Sequence, residues 1–174
     1  QDLQDIADKI IKYLDQKNVQ YSDVRADQQI KKSALIENKD IEHIKNNENK
    51  GVGVRLIKNG TWSFCSITNP NSFDKIKNIL DNTIKNSDYR NIKNKKIKLH
   101  SNPVNKREIN FPVLKKTDIE ELIKIGLECN KIISSTPKII KSITHASYTT
   151  NSKYFVNSEG SEILQNFTDI IMEM

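Results

Sequence analysis

Three histidines, two cysteines and a few near-neighbour charges are the residues of this chain that could do chemistry. His43, His100 and His145 each lie far from any second histidine along the sequence. A metallopeptidase helix needs two His about one turn apart with a Glu beside them, because both imidazoles must face one ion while the carboxylate activates water. That spacing does not occur, so no metal ligand is assigned. Cys65 and Cys129 have no C-x-x-C spacing and read as small buried hydrophobes with reduced thiols. A nucleophilic mechanism would pair Cys65 with His145, since such partners need not be close in sequence, but nothing marks either as activated, and no catalytic residue is assigned. Asp23 and Arg25, two apart on one strand face, and the group Glu37, Asp40 and Glu42 read as surface charges at sheet edges. Gly51 and Gly53 begin like a dinucleotide fingerprint but open a strand that runs into another strand, so no cofactor-binding residue is assigned either.

The elements that must position these groups follow from periodicity. Asp2 to Lys17 carries Leu3, Ile6, Ala7, Ile10, Ile11 and Leu14 on one helical face. Tyr21 to Gln29, Lys31 to Asn38, Asp40 to Asn47, Gly51 to Lys58 and Thr61 to Thr68 read as four to five short strands, the last two joined by an Asn59-Gly60 hairpin turn that places Trp62 in the core. Ser72 caps a second helix with Phe73, Ile76, Ile79, Leu80 and Ile84 inward, ending near Ser87.

Asp88 to Lys116 loses periodicity and contains Pro103 and Pro112, which marks a connector. Thr117-Asp118-Ile119-Glu120 reads as a capping box with Thr117 as the cap. The helix it opens has the stripe Ile119, Leu122, Ile123, Gly126, Cys129, Ile132 and Ile133, and Pro137 stops it. Lys141 to Thr150, Lys153 to Asn157 and Ser161 to Glu173 then read as three strands. The fold class is α+β, with antiparallel sheets and packed helices in two lobes. Residues 1–87 form an N-terminal lobe, 88–116 a basic connector, and 117–174 a second lobe. Its last apolar strand runs to the end of the chain, which reads as an N-terminal fragment of a larger protein.

The formal charge of +6 is local. Arg90 to Arg107 holds seven Lys or Arg and no acid, so the rest of the chain has 21 basic against 22 acidic residues. The segment has no aromatic residue to stack a base, and it reads as a solvated lysine-rich linker, not a nucleic-acid arm. No stretch approaches the roughly 20 apolar residues of a membrane helix, and a cytoplasmic location is the expectation.

The motifs carry one resemblance. Tyr21-Ser22-Asp23-Val24-Arg25, Gly51-Val52-Gly53-Val54-Arg55, Gly60-Thr61-Trp62-Ser63-Phe64 and Val156-Asn157-Ser158-Glu159-Gly160, in this order and spacing, resemble the N-terminal part of a TldD/PmbA-family protein. Ser63 stands where the family often has glycine, and Cys65 where it often has a small residue. The resemblance implies a parent zinc metallopeptidase acting on unfolded or extended peptides. Its H-E-x-x-x-H helix and a distant cysteine ligand would lie outside this sequence. It also implies a homodimer, or a heterodimer with a PmbA-type subunit, and it connects the chain with the name modulator of DNA gyrase. On this reading the chain is a non-catalytic region that supports the substrate chamber and dimer contacts, and Trp62-Ser63-Phe64 looks more TldD-like than PmbA-like. The alternatives are an interaction module of a metal-free PmbA-type partner and, more remotely, a nucleic-acid-binding protein using the basic connector.

Overall fold

The computed structural model describes residues 2–90, 97, 99–100, 103–111 and 118–174. Connector residues 91–96, 98, 101–102 and 112–116, and with them Pro112, as well as Thr117, lie outside these. Among the described residues three helices and six strands follow in the order α1 (Leu3–Asp15), β1 (Tyr21–Glu37), β2 (Asp40–Lys58), β3 (Thr61–Thr68), α2 (Phe73–Arg90), β4 (Lys106–Asn110), α3 (Ile119–Ser134), β5 (Ile143–Asn157) and β6 (Glu162–Glu173). The strands form one six-stranded sheet of order β3-β2-β1-β5-β6-β4. The fold is α+β.

Several local expectations change. The pieces Tyr21 to Gln29 and Lys31 to Asn38 are one strand, and so are Asp40 to Asn47 with Gly51 to Lys58, and Lys141 to Thr150 with Lys153 to Asn157. No Gly or Pro interrupts Gln28 to Lys32 or Thr150 to Lys153, and a polar run continues a strand wherever neighbouring backbones satisfy its N–H and C=O groups. The sheet is also not wholly antiparallel. Glu162 donates its N–H to the Asn105 carbonyl and Phe111 donates to Asn166, so the two numbers rise together and β4 runs parallel to β6.

Two compact units make up the chain, each assembled from three separate stretches. The first comprises Gln1–Gln28, Asn49–Ile109 and Ser152–Gln165. The second comprises Gln29–Glu48, Asn110–Asn151 and Asn166–Met174.

In the first unit, Asp2 caps α1 by accepting the Gln4 N–H, and all six apolar residues of the expected stripe are buried. They pack with Val24, Ala26, Val52, Val54, Leu56, Ile67, Ile76, Leu80, Ile84 and Tyr154 in one core. Asn59 and Gly60, with φ of 52° and 75°, make the turn between β2 and β3, both values in the left-handed region that a tight hairpin turn of this hand requires. The register sets Leu56 opposite Ser63 and Ile57 opposite Trp62. Ser63 Oγ meets Ser87 Oγ of α2 at 2.6 Å, so Ser63, Cys65 and Ile67 face the helices. Trp62 and Phe64 therefore point to the other face. Trp62 is half-buried there and outside the helix-packed core, contrary to the expectation.

In the second unit, α3 is capped by Asp118, which accepts the Glu121 N–H at 2.9 Å. The cap thus falls one residue later than expected. Leu122, Ile123, Gly126 and Asn130 are buried, whereas Ile132 is 68% exposed. At about 100° per residue, Asn130 falls among Leu122, Ile123 and Gly126, and Ile132 falls beyond their edge. Asn130 is the unit's polar keystone. Its Oδ1 accepts from the Lys39 N–H at 2.8 Å and the Ser142 hydroxyl at 3.0 Å, and its Nδ2 donates to Thr144 Oγ1 at 3.1 Å. Replacing Asn130 with Ala should therefore cost about 2–4 kcal/mol of unfolding free energy, since it strands buried or half-buried partners. Urea unfolding of the variant checks this, and a loss below about 0.5 kcal/mol would show that water replaces the amide.

Candidate functional site: the helix-free sheet face of the first unit

Alternation along the strands divides the sheet of the first unit into two faces. The even-numbered residues of β1 and β2 meet the helices, and their odd-numbered neighbours build a face of aromatic and charged side chains. At its centre is Asp23, which is fully buried. Arg55 grips its carboxylate with Nε at 3.0 and 2.8 Å from the two oxygens and Nη2 at 2.6 Å. Arg25 adds Nη1 at 2.8 Å. The expectation that Asp23 is an edge charge fails because the neighbouring strand supplies Arg55, and a buried carboxylate is tolerable only with such partners.

Rings fix both guanidinium groups. Arg55 lies 5.4 Å from the Trp62 centroid and Arg25 lies 5.2 Å from that of Phe155. Trp62 also stacks on Phe64 at 6.0 Å and meets the edge of Tyr21 at 5.8 Å. Phe64 leaves 63% of its surface exposed. Its bonds to Asp23 hold the Arg55 guanidinium above its usual range, and burial followed by the charge of Asp23 raises the Tyr21 phenol.

Beside Arg25 the face hollows into a concavity of about 320 Å³, lined chiefly by Arg25, Asp27, Lys153, Phe155, Ile163 and Gln165. A second polar cluster lies on the helix side. The Tyr154 hydroxyl, with one proton to give, stands 3.0 Å from both Asp8 and Glu162. Burial first, and then these two carboxylates, push the Tyr154 phenol far above its ordinary range. This cluster ties α1 to β5 and β6.

Cys65 is half-buried against α2, and burial raises its thiol, which disfavours the nucleophilic thiolate. Cys129 is half-buried on α3. His43 and His100 are exposed, and His145 in the second unit has Nδ1 3.7 Å from Glu173 Oε2. Glu37 pairs with Lys141 at 2.8 Å, while Asp40 and Glu42 are exposed. Among the described residues no group of three or more His, Cys, Asp or Glu could hold a metal ion. The donor set of these residues therefore does not fit a zinc centre. No helix among them is long and apolar enough to cross a membrane.

Residues 22–87, the stretch that builds most of this face, match the model of the PmbA/TldA metallopeptidase domain 1. The fold is shared with a candidate modulator of DNA gyrase from Bacteroides thetaiotaomicron, at 14% identity and a TM-score of 0.79 over 97% of this chain and 39% of that one. A second candidate modulator, from Thermotoga maritima, gives 10% identity and a TM-score of 0.69 over 98% and 39%. TldE from Thermococcus kodakarensis gives 16% and 0.74 over 96% and 38%. No curated protein matches the sequence. The chain thus spans about two-fifths of the length of these structures. Over residues 22–87 the chain is thus similar to the first domain of the PmbA/TldA metallopeptidases, and over nearly its whole length it shares the fold of these structures.

Proposed function

We propose that the chain is the non-catalytic N-terminal region of a TldD-like zinc metallopeptidase that acts on unfolded or extended peptides. In this reading it walls the substrate chamber and contributes to dimer contacts, with itself or with a PmbA-type subunit, in the cytoplasm. The observation that carries it is the first-domain match over residues 22–87, in a chain whose described residues have no donor set for the metal. The zinc ligands and the hydrolytic step belong to sequence outside these residues, and the chain's own part is to bind and orient. The ordered aromatic and arginine face suits that part, because its side chains are held by one another before any peptide arrives.

The test compares this chain with the full-length protein, measuring zinc content and cleavage of an unfolded casein substrate. Stoichiometric zinc and chelator-sensitive cleavage are expected of the full-length protein, with neither in the 174-residue chain. Chelator-sensitive cleavage by the chain alone would overturn the assignment. A full-length protein that neither binds zinc nor cleaves would instead favour the metal-free partner subunit.

A further inference from the structure

We propose that the concavity beside Arg25 binds the carboxylate of an extended peptide, either a free C-terminus or an acidic side chain, next to an apolar residue. The inference rests on the peptide-handling reading above and names the chemistry that this face selects.

The charge accounting of the trio carries it. Arg55 alone meets both oxygens of Asp23 and compensates that buried charge, so the positive charge of Arg25 is surplus. Arg25 spends one nitrogen, Nη1, on Asp23, and its side chain is 52% exposed. Asp23 and the Phe155 ring are its only recorded partners among the described residues. Its guanidinium is therefore held in place with donors left over, the arrangement that receives a carboxylate with little loss of conformational freedom.

The lining agrees with this ligand. Phe155 and Ile163 supply apolar surface beside Arg25 for the neighbouring side chain. A volume of about 320 Å³ fits one or two residues and not a folded partner. Single-stranded nucleic acid is the other polyanion that an aromatic sheet face could take. It fits less well, since Arg25 already covers Phe155, and Arg55 and Phe64 both engage Trp62, leaving few ring faces for a base.

Calorimetric titration of the 174-residue chain tests the idea with three acetylated six-residue peptides of alanine and valine. One ends in a free carboxylate, one is its C-terminal amide, and one is an amide with an internal glutamate. At least one carboxylate peptide should bind about tenfold or more tighter than the neutral amide. The peptide that does so identifies the source of the carboxylate. Arg25→Gln should abolish that preference. Ile163→Asp, which touches none of the Asp23 bonds and places a negative charge in the hollow, should abolish it too, so a folding defect at the ion pair cannot mimic the result. Equal affinity for all three peptides, a preference that survives both variants, or binding of oligothymidylate but of no peptide would overturn the proposal. Full-length cleavage with no carboxylate preference in this chain would sink only this inference, and the converse would sink only the catalytic reading.

Discussion

Replacing Arg55 with Met is expected to remove about 3–5 kcal/mol of stability, because it leaves the buried Asp23 carboxylate with Arg25 as its one charged partner. The Met side chain restores much of the apolar stem but none of the bonds to the two oxygens. Arg55→Lys should fall between, since it keeps a charge and loses the fork that reaches both oxygens. The double variant Arg55→Met with Asp23→Asn should be more stable than Arg55→Met alone, because the uncompensated charge is then absent. Urea unfolding of the wild type, Arg55→Met, Asp23→Asn and the double variant closes a coupling cycle. A loss below about 1 kcal/mol for Arg55→Met would show that Arg25 and solvent suffice for Asp23. The surplus charge on Arg25, and with it the carboxylate proposal, would then lose its basis.

The second large effect lies on the opposite face of the same strands. Leu80 of α2 is fully buried in the core with Ile76, Ile84 and the even-numbered strand residues. Leu80→Ala should cost about 3 kcal/mol through lost burial and the cavity left behind. Ile79, its immediate neighbour, is 36% exposed, and Ile79→Ala should cost under about 1 kcal/mol. The sequence stripe treated the two as equivalent, so the contrast tests the rotation of α2 directly. Equal losses would mean that the helix presents a different face to the sheet.

The face described here would be expected to work before any chemistry, by holding an extended chain in place. Its aromatic residues are suited to that work because Tyr21, Trp62 and Phe64 brace one another and the two guanidinium groups.

The α1 stripe, the Asn59-Gly60 turn and the β2–β3 hairpin were legible in the sequence because each is a local pattern. A helix buries residues three and four apart, and a tight turn requires left-handed backbone over two residues, so nothing distant has to be known. The α+β class followed from the same patterns, and the family resemblance followed from four short motifs, two of them within the hairpin. The Asp23–Arg55 pair was not legible in this way. Its partners are 32 residues apart, and they meet only if β1 and β2 run unbroken from the Asn38-Lys39 turn in one register. Dividing those strands into shorter pieces lost the register and left Asp23 looking like a surface charge. Asn130 was hidden for a related reason: hydrophobicity does not mark an amide as inward, and its burial depends on the Lys39 N–H and the Ser142 and Thr144 hydroxyls converging on it from other elements. Local periodicity thus determined the elements of this protein. Which charges are buried, which rings are shared and where Arg25 keeps its spare donors were decided by strand pairing across the sheet, because electrostatic partners are chosen by distance in space and not along the chain.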